Sequence, residues 1–224
     1  MTAFLGIDTA ARRGSVGLAP QGLLRPLLSE GRHAVDLIDT IEALLAEAVC
    51  RRDDLRGIGV TVGPGSFTGV RIGLATARGL GYALNVSVTG LSTLEAMACA
   101  AAGSVEGPLC AVLQAGRGEV YAALFTLRGG NPERLGPDQV LRPEALAPSL
   151  PPGILLAGDG ARLVAPFLAG SGTNAEPRIA EPCLLALVLA GKAAGSVSGA
   201  GYRLGEPAPH YLRSSDAQAA RSRP

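Results

Sequence analysis

The sequence predicts an α/β protein of two related lobes, each built on a mixed sheet, with the second lobe truncated. The first half reads as three short strands, a helix, a strand and a helix, and the second half repeats that order more weakly. The segment from Gly103 to Pro108 breaks the pattern between the halves. With 224 residues, 47% of them apolar, the chain is long enough to bury a core in both lobes.

The predicted N-terminal lobe covers residues 1–104. Short apolar runs separated by glycine-rich turns predict strands, and apolar residues recurring every three or four positions predict helices. The predicted elements are strands Phe4–Asp8, Ser15–Ala19 and Leu23–Leu28, helix His33–Cys50, strand Ile58–Val62, helix Thr68–Leu84, strand Val86–Thr89 and helix Ser92–Ala102. This order is typical of a mixed sheet covered by helices.

The predicted C-terminal lobe covers residues 105–204, and a tail over residues 205–224 follows it. The tail is rich in proline, arginine and serine, and we expect it to be extended and largely solvated. The predicted elements of the lobe are a hairpin of Leu109–Leu113 and Glu119–Leu127, a loop from Gly129 to Pro132, strands Gln139–Leu141 and Ile154–Ala157, and helices Ala161–Leu168 and Pro182–Ala194.

Composition limits the classes of function. Twenty basic and nineteen acidic residues give a net charge of +1, so the chain lacks the long-range field that gathers nucleic acid onto a protein. The four cysteines form no C-x-x-C pair and the two histidines are far apart, which argues against a metal site. No apolar run reaches the roughly 20 residues that span a bilayer, so we expect a cytoplasmic protein without membrane contact.

The segment from Val62 to Gly73 is the sharpest motif, a strand end followed by a Gly/Pro turn and a helix start. Glycines that aim backbone N–H groups at one point, beside a helix N-terminus, suit a phosphate or carboxylate. A Walker A loop would need a lysine after its last glycine, but the only lysine is Lys192. A structural alternative stays open, in which Ser66 or Thr68 caps the helix.

The first two predicted helices carry more apolar or small side chains than one sheet contact needs. We expect them to lie side by side and to expose an apolar patch, the usual mark of a partner site. The residues predicted to bind a partner are Leu37, Ile41, Leu44, Leu74, Arg78 and Tyr82. When that partner is absent, the patch predicts a two-fold homodimer. The alternative is that these residues are ordinary core.

Four stretches, in order along nearly the whole chain, resemble one family. The segment Gly63-Pro64-Gly65-Ser66-Phe67-Thr68-Gly69-Val70-Arg71-Ile72-Gly73 is similar to the hallmark of the TsaB (YeaZ) family, bacterial subunits needed to make threonylcarbamoyladenosine in tRNA. Residues 5–9 with 15–18 resemble that family's first hairpin, and residues 118–121 its Gly-Glu-Val-Tyr segment. Residues 209–213 resemble its Pro-x-Tyr-Leu-Arg tail.

The resemblance implies the actin/Hsp70/sugar-kinase (ASKHA) fold and a role without catalysis. It implies a scaffold subunit that binds and stabilises the catalytic paralogue TsaD, in the complex that forms N6-threonylcarbamoyladenosine at position 37 of tRNAs reading codons that begin with A. It further implies contact with the ATPase TsaE, and with tRNA through the complex. No cofactor is expected in this chain, while ATP and a divalent metal are expected in the partner subunits. The alternative is an ATP-dependent carbamoyltransferase or kinase of the same fold that acts by itself.

The third predicted helix favours the role without catalysis. The resemblance implies that the catalytic paralogue carries a His-x-x-x-His pair there, a spacing that places both imidazoles on one helical face for a metal. Thr93 and Met97 stand at those positions in this chain, and neither is a good ligand for a hard divalent cation. The chain also departs from the family in two stretches, Gln114-Ala115-Gly116 and His33-Ala34-Val35-Asp36, so the contacts made there are expected to change.

A vestigial phosphate site is the second candidate site. The resemblance implies that Asp8, in the first hairpin, corresponds to the phosphate-side aspartate of ATPases with this fold. The residues of this candidate site are Asp8, Thr9, Gly63, Gly65, Ser66 and Thr68. The alternative is that Asp8 serves the fold alone. Residues 158–160, Gly-Asp-Gly, allow a second nucleotide loop or a plain turn.

Overall fold

A computed structural model describes residues 2–28, 34–102, 106–168, 185–198 and 207–212 of the chain. Two mixed sheets form its framework, which confirms the predicted α/β class with two mixed-sheet lobes. In each sheet an antiparallel meander of three strands continues into a parallel strand, so the second sheet repeats the first. The first sheet adds one more parallel strand that has no counterpart among the described residues of the second.

The first sheet has the strand order β3-β2-β1-β4-β5. Its chain segment comprises β1 (Ala3–Asp8), β2 (Ser15–Ala19), β3 (Leu23–Pro26), α1 (Leu37–Glu47), β4 (Leu55–Thr61), α2 (Phe67–Leu84), β5 (Ser87–Leu91) and α3 (Thr93–Ala102). Helix α1 lies over β2 and β3, whereas α2 lies over β4 and β5. Each helix therefore covers a different part of the same face and buries its apolar stripe there.

The second sheet has the order β10-β6-β7-β8, with β9 paired to β7 beside β8. Its chain segment comprises β6 (Gly107–Gly116), β7 (Glu119–Arg128), β8 (Asn131–Arg134), β9 (Gln139–Leu141), α4 (Pro143–Leu146), β10 (Leu155–Ala157), α5 (Ala161–Leu168) and α6 (Leu185–Ser198). Residues 131–134 pair with the end of β7, whereas the sequence predicted a loop from Gly129 to Pro132. This strand was missed because it is short and polar, as edge strands often are.

The last helix of each half packs on the sheet of the other half. Helix α3 shares a hydrophobic cluster with β6, β7 and β10, and includes the fully buried Leu94 and Met97. Helix α6 packs on β1, β2 and β4. The predicted boundaries at residues 104 and 204 therefore divide the sequence but not the packed units.

Three glycines allow α6 to approach its sheet. Gly17, Gly6 and Gly59 stand side by side on β2, β1 and β4. A Cβ on Gly6 or Gly17 would overlap the backbone of Ala186, and one on Gly59 would overlap the carbonyl of Leu189. The helix backbone thus lies directly on the sheet. Leu5 and Ile7, on either side of Gly6, point to the opposite face, towards α1 and α2.

Within the described ranges, no helix combines the length and apolar character that a membrane crossing requires.

Candidate functional site

The six residues predicted to bind a partner divide into two groups. Leu37, Ile41, Leu44 and Leu74 are core residues, with at most 3% of their surface exposed. Their predicted exposure is wrong, because α1 and α2 cover separate strands and the sheet uses both apolar stripes. Arg78 is half-buried and Tyr82 is 92% exposed. Of the six predicted residues, only these two reach the protein surface.

The outward side of α2 carries small residues around Tyr82. Ala75, Gly79 and Ala83 are exposed there at a spacing of four residues, which places them on one helical face. A Cβ on Gly79 would meet nothing within 4 Å. We call Ala75, Gly79, Tyr82 and Ala83 the α2 outer face. Its sequence signal was the series of glycines and alanines along α2, which the sequence analysis counted towards an exposed partner surface.

The glycine-rich loop between β4 and α2 is filled by the turn after β1. The Ser66 N–H donates to the Ala10 carbonyl at 2.8 Å, and the Thr9 hydroxyl donates to the Gly69 carbonyl at 2.7 Å. A Cβ on Gly65 would overlap the Ala10 carbonyl, and one on Gly69 would overlap that of Thr9. The glycines thus admit a neighbouring backbone segment.

Helix α2 is capped at its start. The Ser66 Oγ accepts the Gly69 N–H at 3.1 Å, whereas Thr68 is exposed on the first turn. Gly63 has a φ of +103° and Gly65 a φ of +153°, a region of backbone space that favours glycine. The residues predicted as a vestigial phosphate site do lie together, but two of the amides an anion would need already donate within the protein.

Asp8 is fully buried beneath this loop. Its Oδ1 accepts hydrogen bonds from the Ala10 N–H at 3.0 Å and from the Thr61 hydroxyl at 2.9 Å. Burial raises the pKa of Asp8 from 3.8 to about 6, while the bonds from Thr61 and Ala10 act in the lowering direction. The Asp8 carboxyl thus joins the turn after β1 to the end of β4.

The positions that would hold metal-binding histidines lie in the core. Thr93 and Met97 are 0% and 1% exposed, and the Thr93 N–H donates to the Gly63 carbonyl at 2.9 Å. The Met97 methyl packs against Gly158, whose φ of +111° starts the turn before α5. The described ranges contain no group of three or more histidine, cysteine, aspartate or glutamate side chains that could hold a metal ion.

A cleft of about 490 Å³ lies between the two lobes. Arg12, after β1, lines it from the first half of the chain, and Arg117, between β6 and β7, lines it from the second half together with Tyr121. The turn at residues 158–160 serves the fold here, because Asp159 Oδ1 accepts the Gln114 N–H at 3.0 Å. Gln114, one of the departures from the family pattern, therefore joins the β6–β7 hairpin to this turn.

The described part of the tail, residues 207–212, is neither helix nor strand and has four exposed residues, but it also contacts the protein in a way that was not predicted. It lies along α2 and the glycine-rich loop, and His210, Tyr211 and Leu212 form part of the cleft wall. The sequence signal was the Pro-x-Tyr-Leu-Arg resemblance, which gave no indication of what the segment contacts. The arginines of the remaining tail lie outside the described residues.

Comparisons of the sequence and of the structure with known proteins match this chain to one family. The family model described as "TsaD: tRNA N6-adenosine threonylcarbamoyltransferase" matches residues 17–175, well over half of the chain. The tRNA threonylcarbamoyladenosine biosynthesis protein TsaB of Bacillus subtilis is 36% identical over 107 residues, which cover 48% of this chain and 46% of that protein. YeaZ from Pseudomonas aeruginosa superposes with a TM-score of 0.73 and 28% identity, over 95% of this chain and 100% of that chain.

The chain belongs to this family, and within it to the TsaB (YeaZ) group. The ASKHA fold, which the sequence resemblance implied, is confirmed for this chain. ROK hexokinase from Thermus thermophilus shares the fold. That enzyme superposes with a TM-score of 0.50 at 15% identity, over 88% of this chain and 100% of that one. The alignments span about half the length of the curated relatives that the chain matches.

Proposed function

We propose that the chain is a non-catalytic subunit of a complex that makes threonylcarbamoyladenosine in tRNA, and that it binds and stabilises the catalytic paralogue. Membership of the TsaB (YeaZ) group supports the reaction. The observation that carries the scaffold role is the packing of Thr93 and Met97 in the core. Met97 packs against Gly158 at this place, and neither Met97 nor Thr93 supplies a good ligand for a hard divalent cation.

Activity of the isolated chain is the first prediction. The purified chain is expected to form no threonylcarbamoyladenosine from threonine, bicarbonate, ATP and tRNA, because Thr93 and Met97 are poor ligands for a hard divalent metal. Product formation should appear when the catalytic paralogue and its ATPase partner are added. Nucleoside analysis of digested tRNA by mass spectrometry measures both conditions. Product from the chain by itself would instead establish the alternative, an enzyme acting without partners.

The partner surface that we propose is the α2 outer face. Ala75, Gly79 and Ala83 leave a shallow helix surface on which a second helix can approach closely, and Tyr82 supplies an exposed aromatic side chain of the kind that anchors interfaces. The same face provides self-association into a homodimer when the paralogue is absent. Contact with the ATPase and with tRNA then comes through the assembled complex, and ATP and the divalent metal belong to the partner subunits.

Gly79→Arg is the test of this surface. The arginine side chain would stand where a partner helix must approach, so affinity for the catalytic paralogue is expected to fall by about 100-fold or more. Folding should survive, because Gly79 is exposed with open space around it and most residues are better helix formers than glycine. Isothermal titration calorimetry measures the affinity, and light scattering after gel filtration measures the loss of the homodimer.

Gly191→Arg is the matched control for this test. Gly191 is likewise an exposed helical glycine with nothing within 4 Å of a Cβ, but it lies on α6. This variant should bind the paralogue like the wild-type chain. Equal affinity of the wild-type and Gly79→Arg chains would exclude the α2 outer face as the interface, whereas no binding by the wild-type chain would contradict the scaffold role itself.

A further inference from the structure

The segment 207–212, which we call the C-terminal strap, is bonded to the N-terminal lobe at two places. The Arg78 guanidinium donates to the Pro207 carbonyl at 2.7 Å, and the His210 N–H donates to the Val62 carbonyl at 2.7 Å. Val62 directly precedes the glycine-rich loop, and Arg78 lies in the second half of α2. The strap therefore runs beside both the start and the middle of this helix.

A third group of contacts holds the first turn of α2. The Tyr211 ring lies 4.8 Å from that of Phe67, the first residue of the helix. The Arg71 guanidinium lies 3.8 Å from the centre of the Phe67 ring and donates to the Tyr211 hydroxyl at 3.1 Å. An aromatic pair with a stacked guanidinium adds stability beyond the burial of surface.

The strap also contacts the C-terminal lobe. His210 Nε2 lies 3.7 Å from Asp138 Oδ2, a contact that becomes an ion pair when the imidazole is protonated. The Asp138 side chain is held in turn by Arg134 of β8 and by the Ser92 hydroxyl. Leu212 packs against the hydrophobic cluster formed by α3 and the second sheet. One short segment thus contacts both lobes across the mouth of the cleft.

We propose that the C-terminal strap is a positioning element that fixes the two lobes relative to each other and holds α2 in place for its partner. Arg71 and Arg78 stand about one and three turns from the start of α2, so the strap holds the helix whose outer face binds the paralogue. This last step rests on the proposed function. Binding of the paralogue and closure of the strap are then coupled, since both depend on the same position of α2.

Tyr211→Ala tests the strap in the full-length chain. This substitution removes the ring contact with Phe67 and the acceptor for Arg71, and Tyr211 is exposed enough for folding to survive. Hydrogen–deuterium exchange of the isolated chain is expected to become about tenfold faster in peptides covering residues 62–72 and 134–138. Peptides from α1 should not change. Tyr211→Phe, which keeps the ring, should restore most of the protection.

Phe167→Ala is the control for exchange. It removes an exposed aromatic side chain from α5, away from both the strap and the α2 outer face, so exchange of residues 62–72 should stay at the wild-type rate. A second measurement gives the affinity of Tyr211→Ala for the catalytic paralogue, which is expected to fall several-fold. Unchanged exchange or unchanged affinity in this variant would overturn the proposal. If the proposed function itself were wrong, the wild-type chain would not bind the catalytic paralogue either, so that outcome can be told apart from failure of the strap proposal.

Discussion

Gly6→Ala is expected to destabilise the protein by about 3 kcal/mol or more, since overpacking against rigid neighbours lies at the upper end of the usual range. A Cβ at this position would overlap the carbonyl of Ala186, and backbone atoms cannot rotate away as the end of a side chain can. Helix α6 must shift off β1, which separates it from β2 and β4 as well. Urea denaturation followed by circular dichroism measures the change in the free energy of unfolding.

The control is Gly191→Ala on α6 itself. It adds the same methyl group to an exposed helical glycine with open space, so it should raise stability by up to about 1 kcal/mol. The two variants thus change stability in opposite directions although the chemical change is identical. A Gly6→Ala protein as stable as the wild type would mean that α6 does not lie directly on the sheet.

Asp8→Asn is expected to remove a pH dependence of stability. Since burial raises the folded-state pKa of Asp8 to about 6, above its ordinary 3.8, the folded protein binds the proton more tightly than the unfolded chain. The carboxyl therefore contributes stability at low pH, up to about 3 kcal/mol below both pKa values, and that contribution is lost as the pH rises through 6. The charged form is the one disfavoured by burial.

The measurement compares wild type and variant by urea denaturation near pH 7 and near pH 4.5. The stability of Asp8→Asn relative to wild type should be higher at pH 7, and the difference between the two pH values should be about 2 kcal/mol. Asp53→Asn serves as the control, because Asp53 is an exposed surface aspartate and an exposed ion pair contributes little. A pH dependence of Asp8→Asn equal to that of wild type would contradict the raised pKa.

Local patterns predicted most of the elements and their order. The bounds of α5 and β9 agree with the prediction, and α2 begins only one residue earlier. These elements are specified by periodicity and by a capping serine, both of which are local in sequence. The family resemblance similarly depended on contiguous stretches of residues.

Features that depend on register and packing could not be predicted in this way. Gly6, Gly17 and Gly59 form a row only because of the strand order and pairing, and nothing in their separate contexts indicates a helix above them. The width of the apolar face of α1 suggested an exposed patch, but Leu44 is buried because α1 and α2 lie on different strands. The contact of Tyr211 with Phe67 joins residues 144 positions apart in sequence, too far for a local pattern to reveal.

The last helix of each half packs on the sheet of the other half, so the first sheet cannot be covered until late in synthesis. That sheet is complete once residue 91 has left the ribosome, but the face bearing the glycine row stays uncovered until residues 185–198 follow. At about 5–20 residues per second, this interval lasts on the order of 5–20 s. Through that time an open β face is available to chaperones or to other nascent chains, and a fragment ending near residue 104 would keep it open permanently.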